Sequence, residues 1–220
     1  MELNYYKIKY KQIIVGILSN INFIWYFIKL FYYKNTGGSN NSIYCYLVWL
    51  KHDYYLNENN IEIYNKDICE IGPGDSIGVG ICALILGAKS YTGLDVISYN
   101  ESKLLIQIFD DIIYYITNEV SNFKNDGFQN INPRSNQEIF PDYLKQRIIN
   151  YNLLDKNRIA NIKSDLFEFI NNKSSNTINY YSPWDDIKIE NNKYDICISQ
   201  SAFEYFENPK YSISFNSFSL

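Results

Sequence analysis

The sequence predicts an α/β fold in which a parallel sheet is flanked by helices. Three observations carry that expectation. Lys66–Ile71 and Tyr194–Ser199 are short apolar runs of the kind buried in a parallel sheet. Several longer stretches have apolar residues recurring at three and four positions, which is helical. At Asp67–Val96, DICEIGPGDSIGVGICALILGAKSYTGLDV, a strand, a glycine turn, a short helix and a second strand follow one another directly.

At 220 residues the chain fits one domain with a sizeable core. A net charge of -4 and a pI near 5.1 give no basic face for nucleic acid, so no such partner is expected. Cys45, Cys69, Cys82 and Cys197 lie in apolar contexts without paired spacing, which predicts buried free thiols in a reducing cytosol. His52 is the one histidine, so no metal site is expected.

Taken in order, residues 1–12 are too polar for a signal peptide. Ile13–Tyr33 is the most apolar stretch, but Ser19, Asn20, Asn22 and Lys29 interrupt it. That favours a soluble capping helix with its stripe on Ile24, Phe27, Ile28, Leu30 and Phe31 over membrane-surface contact through residues 13–33. Gly37-Gly38 breaks it. Ser39 to Ser42 then caps a helix carrying Ile43, Leu47, Leu50 and Tyr54 on one face.

Lys66–Ile71 is the first strand. Gly72 and Gly74 let the backbone turn sharply and leave room where a Cβ would collide. Asp75 or Ser76 can cap the next helix, Gly78, Gly80 and Ala83 let it pack closely on the sheet, and Gly87 offers its stop. Tyr91–Val96 is the second strand, and Asp95 lies about twenty residues beyond the glycines, placed to take a ribose's two hydroxyls. The third glycine of the dinucleotide pattern would fall at Ile77 and is missing. With Glu70 and Asp75 beside the turn, a pyrophosphate is disfavoured and a cationic, phosphate-free nucleoside fits better.

A helix over about Glu101–Phe123, capped by Asn100, should pack on a sheet face through Leu105, Ile108, Ile112, Tyr115 and Val120. Residues 124–142 read as a polar insertion loop. Leu144, Ile148, Ile159, Ile162, Leu166, Phe169 and Ile170 make Tyr143–Asn172 helical, which puts Asp165 on a polar helix face and not at a strand end. The third strand is then Thr177–Ser182, followed by Pro183, Trp184 and Asp185. The fourth is Tyr194–Ser199, with Ile196 and Ile198 inward and Gln200 at its carboxyl end.

These residues resemble the class I S-adenosylmethionine (SAM) methyltransferases. Glu70, Gly72, Gly74 and Asp95 stand in the positions of that family's first motif, and YDICISQSAFEYF at 194–206 resembles its fourth strand and the segment after it. GGSNNSIYCYLVWLKH and Pro183-Trp184 are similar to a subgroup met in glycan and surface-polysaccharide biosynthesis. The resemblance spans roughly residues 18–208. It implies a Rossmann-like sheet in the order 3-2-1-4, an N-terminal helical cap over 1–60 and a SAM-binding domain over 61–220. It further implies that Asp95, next to Val96, holds the ribose, that Gly72, Gly74 and Asp75 border the cofactor, and that Glu70 organises its amino-acid end. Gln200 would line the methionine side. Trp184 would stack near the adenine and Asp185 accept from its amine, unless Pro183-Trp184 only plugs the strand end.

Tyr46, Trp49, Lys51 and His52 are candidates for acceptor contact, against a reading in which the aromatics are core and His52 lies on the surface. Tyr205 stands where many members carry a histidine and is a poor base at its ordinary pKa of about 10. Glu204 reads as a helix N-terminal acid, so no catalytic residue is named. The implied function is cytoplasmic methyl transfer from SAM to a small-molecule or glycan acceptor. The family's fifth to seventh strands are not found, and the expectation is therefore a C-terminally truncated member. The alternative is an inactive SAM-binding remnant or an interaction module.

Overall fold

The computed structural model describes residues 38–95, 104–120, 140–183, 193–200 and 202. The expected helix in 13–33, Val96, the Asn100 cap, the insertion loop up to residue 139, Trp184, Asp185, Glu204, Tyr205 and the apolar tail lie outside them. Among the described residues no helix is long and apolar enough to cross a membrane.

The expected strands form within a residue or two of their predicted bounds. β1 (Asp67–Ile71), β2 (Ser90–Leu94), β3 (Ile178–Tyr181) and β4 (Ile196–Ser199) make a four-stranded parallel sheet in the order β3-β2-β1-β4. Its register aligns Ile178, Tyr91, Ile68 and Ile196 in one row across the sheet. Because side chains alternate with period two, the next row on that face is Tyr180, Gly93, Glu70 and Ile198. The first row is entirely buried, so Glu70 is an acid set into an otherwise apolar face.

α2 (Gly78–Ile85) covers this face with all eight of its residues buried. Its small residues act as the sequence suggested. A Cβ at Gly80 would enter the Tyr91 ring, and one at Gly78 would meet Cys45. The helix stops in a Schellman turn, where Ala88 N donates to Ala83 O (2.9 Å) and Gly87 N to Leu84 O (3.3 Å), with Gly87 at φ +122°. The Arg158 guanidinium donates to the carbonyls of Leu84, Ile85 and Leu153, placing a cation at the helix's negative end.

α1 (Ser42–Glu58) is capped by Asn41, whose side chain accepts from Ile43 N and Tyr44 N. Its buried side is not the expected Ile43, Leu47, Leu50 and Tyr54. Of these only Leu47 is buried, alongside Cys45, Tyr46, Val48, Trp49 and Asp53. The face that turns inward is the one that fits the small-residue surface of α2, and it brings an aspartate into the core. Asp53 is paired there with Arg147 of α4 (Asp142–Asn150) at 2.6 Å, with both side chains buried.

α3 (Leu105–Thr117) is shorter than expected. Glu119 at φ +51° and the bond from Val120 N to Tyr115 O (2.9 Å) close it before Phe123. Its buried stripe is Leu105, Ile108, Phe109, Ile112 and Ile116. It packs mainly on α1, α2 and α5 (Lys156–Ile170), while α2 lies over β1 and β2. α4 and α5 together fill the helical stretch expected over Tyr143–Asn172. Asp165 lies on α5, as the periodicity predicts, and accepts from Thr177 Oγ1 (2.7 Å) just before β3.

The Asp53–Arg147 pair yields a stability prediction. Arg147→Ala strands a buried carboxylate and should cost about 3–5 kcal/mol, whereas Asp53→Leu combined with Arg147→Met should restore most of that loss. Urea unfolding monitored by far-UV circular dichroism measures both.

Candidate functional site

Four backbone and side-chain bonds draw the carboxyl ends of the strands together. Gly72 N donates to Leu94 O at the end of β2 (2.8 Å), and Asp95 N donates to Tyr181 O at the end of β3 (3.0 Å). Ser199 Oγ donates to Ile71 O (3.1 Å), tying β4 to β1. Gly74 N donates to the Asp95 carboxylate (3.2 Å), so the turn after β1 and the acid after β2 meet as the sequence arrangement requires. β1 and β4 neighbour each other where the strand order reverses, which is where open α/β sheets place ligands.

The turn takes its shape from two left-handed residues, Gly72 at φ +71° and Gly74 at φ +76°. A Cβ at Gly72 would meet the Ala202 Cβ at 2.5 Å, and one at Gly74 would lie 3.3 Å from Ser39 Oγ. The glycines therefore admit the chain's own segments to the turn. Ser39, buried in the short 3-10 turn Gly38–Asn40, was expected only as part of the cap of α1 and not at this site. Its hydroxyl accepts from Ser76 N (3.0 Å), and its carbonyl accepts from Ser76 Oγ and from Cys45 Sγ. Ser76, one of the two candidate caps for α2, accepts from Gly78 N at 3.1 Å in the turn before the helix, whose N-cap position is Ile77.

Glu70, Asp75 and Asp95 are all buried at this end, 1%, 4% and 9% exposed. Glu70 Oε2 accepts a 2.6 Å bond from Tyr91 Oη. Burial pushes the Glu70 carboxyl up to about 7, the Tyr91 hydroxyl opposes that rise, and the nearby Asp95 charge adds to it. Burial also raises the Tyr44 phenol and the Cys45 thiol above it, with the Glu70 charge contributing in both. Such a site favours positive charge and offers acceptors for hydroxyl and ammonium donors.

Of the expected cofactor contacts, Glu70, Gly72, Gly74, Asp75 and Asp95 come together here, and Gln200 follows β4, half-buried. Val96, Trp184 and Asp185 lie outside the described residues. Tyr46 and Trp49 are fully buried core. Lys51 and His52 are half-buried, and burial, with Lys51 beside it, pushes the His52 imidazole down to about 4. A cavity of about 470 Å³ lies at the other end of the sheet, lined by Tyr64, Gly87, Lys89, Arg158, Asp165 and Thr177. It is remote from the switch point, and the carboxyl-end cluster is the better candidate on chemistry.

Glu70 should leave a signature in pH-dependent stability. Its folded pKa of about 7 lies above the ordinary 4.5, so the folded chain holds this proton more tightly than the unfolded chain. Its contribution is complete below about 4.5 and is lost as pH rises to about 7. Urea unfolding at a series of pH values should show that Glu70→Gln lessens the wild-type loss of stability across this window; a constant difference at every pH would contradict the assignment.

Comparison with known proteins finds no family model, curated protein or solved structure that this chain matches.

Proposed function

We propose that this chain is a SAM-dependent methyltransferase domain acting on a small-molecule or glycan acceptor in the cytoplasm. The observation that supports it most is the meeting of the β1 turn with Asp95 above a buried, hydrogen-bonded Glu70, at the switch point of a sheet ordered β3-β2-β1-β4. In this reading the Asp95 carboxylate accepts from the ribose hydroxyls and Glu70 takes the ammonium of the methionine end. Both acids also favour the sulfonium charge. SAM supplies an activated methyl group; the acceptor's lone pair forms the new bond as the carbon–sulfur bond breaks, and the acceptor's proton leaves to solvent or a base. The sulfide leaves without needing a proton, so the chain's contribution is to bind and align.

A second reading, a module that binds without turnover, draws on the packing of Ala202 and Ser39 against the two turn glycines. Space beside the turn is then shared with the chain itself.

Calorimetry with SAM and S-adenosylhomocysteine tests the cofactor. Both should bind, and Asp95→Ala should weaken them by about 1 kcal/mol or more, the scale of a buried hydrogen bond. A folded protein that binds neither ligand overturns the proposal, and binding without methyl transfer to any acceptor favours the second reading.

A further inference from the structure

Glu70 has an unusual partner for a buried acid. Elsewhere in the chain the buried Asp53 is matched by Arg147. Glu70, 1% exposed, is matched by a phenol. Among the described residues, the titratable groups facing it are Tyr91 from β2, Asp95 after β2, Tyr44 and Cys45 from α1, and Tyr180 of β3, which shares its row beyond Gly93; Cys69 beside it in β1 lies on the other face of the sheet. None of these is a cation.

The Tyr91 phenol is held in place from two sides. Gly80 of α2 lies against its ring, where a Cβ would collide. Gly93 is the neighbour of Glu70 in the register, and a Cβ there would stand 3.2 Å from Tyr91 Oη and 2.9 Å from the Tyr180 ring. The two glycines open a channel along which the hydroxyl reaches Glu70 Oε2. Replacing either with a larger residue would move the phenol.

From this geometry we infer that Tyr91 is a positioning residue for Glu70, fixing its carboxyl at the end of β1 so that a cationic ligand loads there by displacing a proton. The inference rests on the proposed SAM site for the identity of that ligand. Without ligand, burial and the neighbouring carboxylate keep the proton on Glu70 up to neutral pH. When a ligand's ammonium or sulfonium arrives, the carboxyl O–H bond breaks, the proton passes to solvent and the cation takes its place beside the carboxylate. Tyr91 favours the ionised form by donating to it, and so sets the pH at which the exchange becomes easy. Affinity for SAM therefore rises with pH toward neutrality and then levels off.

The test has two parts. Infrared titration of the free protein, as wild type minus Glu70→Gln, should show a protonated carboxyl band that disappears as pH rises through about 7. In Tyr91→Phe, which keeps the ring against Gly80, that midpoint should move upward. Calorimetry with SAM in two buffers of different ionisation enthalpy should show about one proton released near pH 6, little near pH 9, and none from Glu70→Gln. Tyr91→Phe should weaken SAM binding about three- to tenfold near pH 6 and leave it unchanged near pH 9.

Equal weakening at both pH values would reduce Tyr91 to a structural role and overturn the inference, as would the absence of a protonated Glu70 band. If Tyr91→Phe does not fold, the wild-type and Glu70→Gln proton counts decide the matter. Failure to bind SAM at any pH, with the infrared titration intact, overturns the methyltransferase reading and the SAM-linked exchange, while the hold of Tyr91 on Glu70 stands. Loss of the infrared signal with SAM binding intact overturns this inference alone.

Discussion

The close approach of α2 to the sheet is the constraint on which the other features depend. Tyr91 occupies the central row of the buried face, and its ring fits only because Gly80 presents backbone in place of a side chain. Gly78 gives Cys45 of α1 the same access on the helix's other side. Two glycines two residues apart would ordinarily weaken a helix by roughly 1 kcal/mol each relative to alanine. Burial of every residue of the helix, its Schellman stop and the Arg158 contacts with its last carbonyls offset that cost. The sandwich of α1 on α2 on β1 and β2 follows, and α3 packs mainly on the helical layer.

Within this packed layer two buried acids have different partners. Asp53 lies between α1 and α4 with an arginine at 2.6 Å, an arrangement that links two helices; burial raises its carboxyl, and the Arg147 charge and hydrogen bond oppose that rise. Among the described residues Glu70 is set by its burial, a neutral hydroxyl that opposes the rise and a like-charged neighbour that adds to it, so its charge is poised near neutrality. A structural pair is matched within the chain. A carboxyl that stays sensitive to what binds beside it is more useful at a site, and burial combined with a sensitive charge state is a common property of functional groups.

The site is also stiff for a group of residues that lie beyond the strands. Gly72, Asp95 and Ser199 each bond to the end of a neighbouring strand, and Ser39 clamps the start of α2 through Ser76. Each of these contacts uses backbone as donor or acceptor, so the positions of Glu70 and Asp95 are set by the sheet itself and not by surface loops. Under the proposed function, acids held in this way would meet a ligand with little reorganisation.

The sequence by itself determined the strands, their parallel order as implied by resemblance, the glycine turn, the stop at Gly87 and the helical placement of Asp165. Apart from that order, each follows from a local signal: apolar runs, glycines where φ turns positive, or apolar spacing over one segment. It also placed Glu70, Gly72, Gly74 and Asp95 near one another, because residues at the ends of two adjacent parallel strands converge once the strands pair. The tertiary structure decided which side of α1 turns inward, since Ile43, Leu50 and Tyr54 are apolar too, and the buried side carries Cys45, whose approach to α2 the absence of a side chain at Gly78 allows. It alone joined Asp53 to Arg147 and Tyr91 to Glu70, pairs whose members lie far apart in the chain and carry no shared local pattern. A hydrogen bond between strands depends on register and on what the covering helix leaves open, and both are properties of the assembled layers.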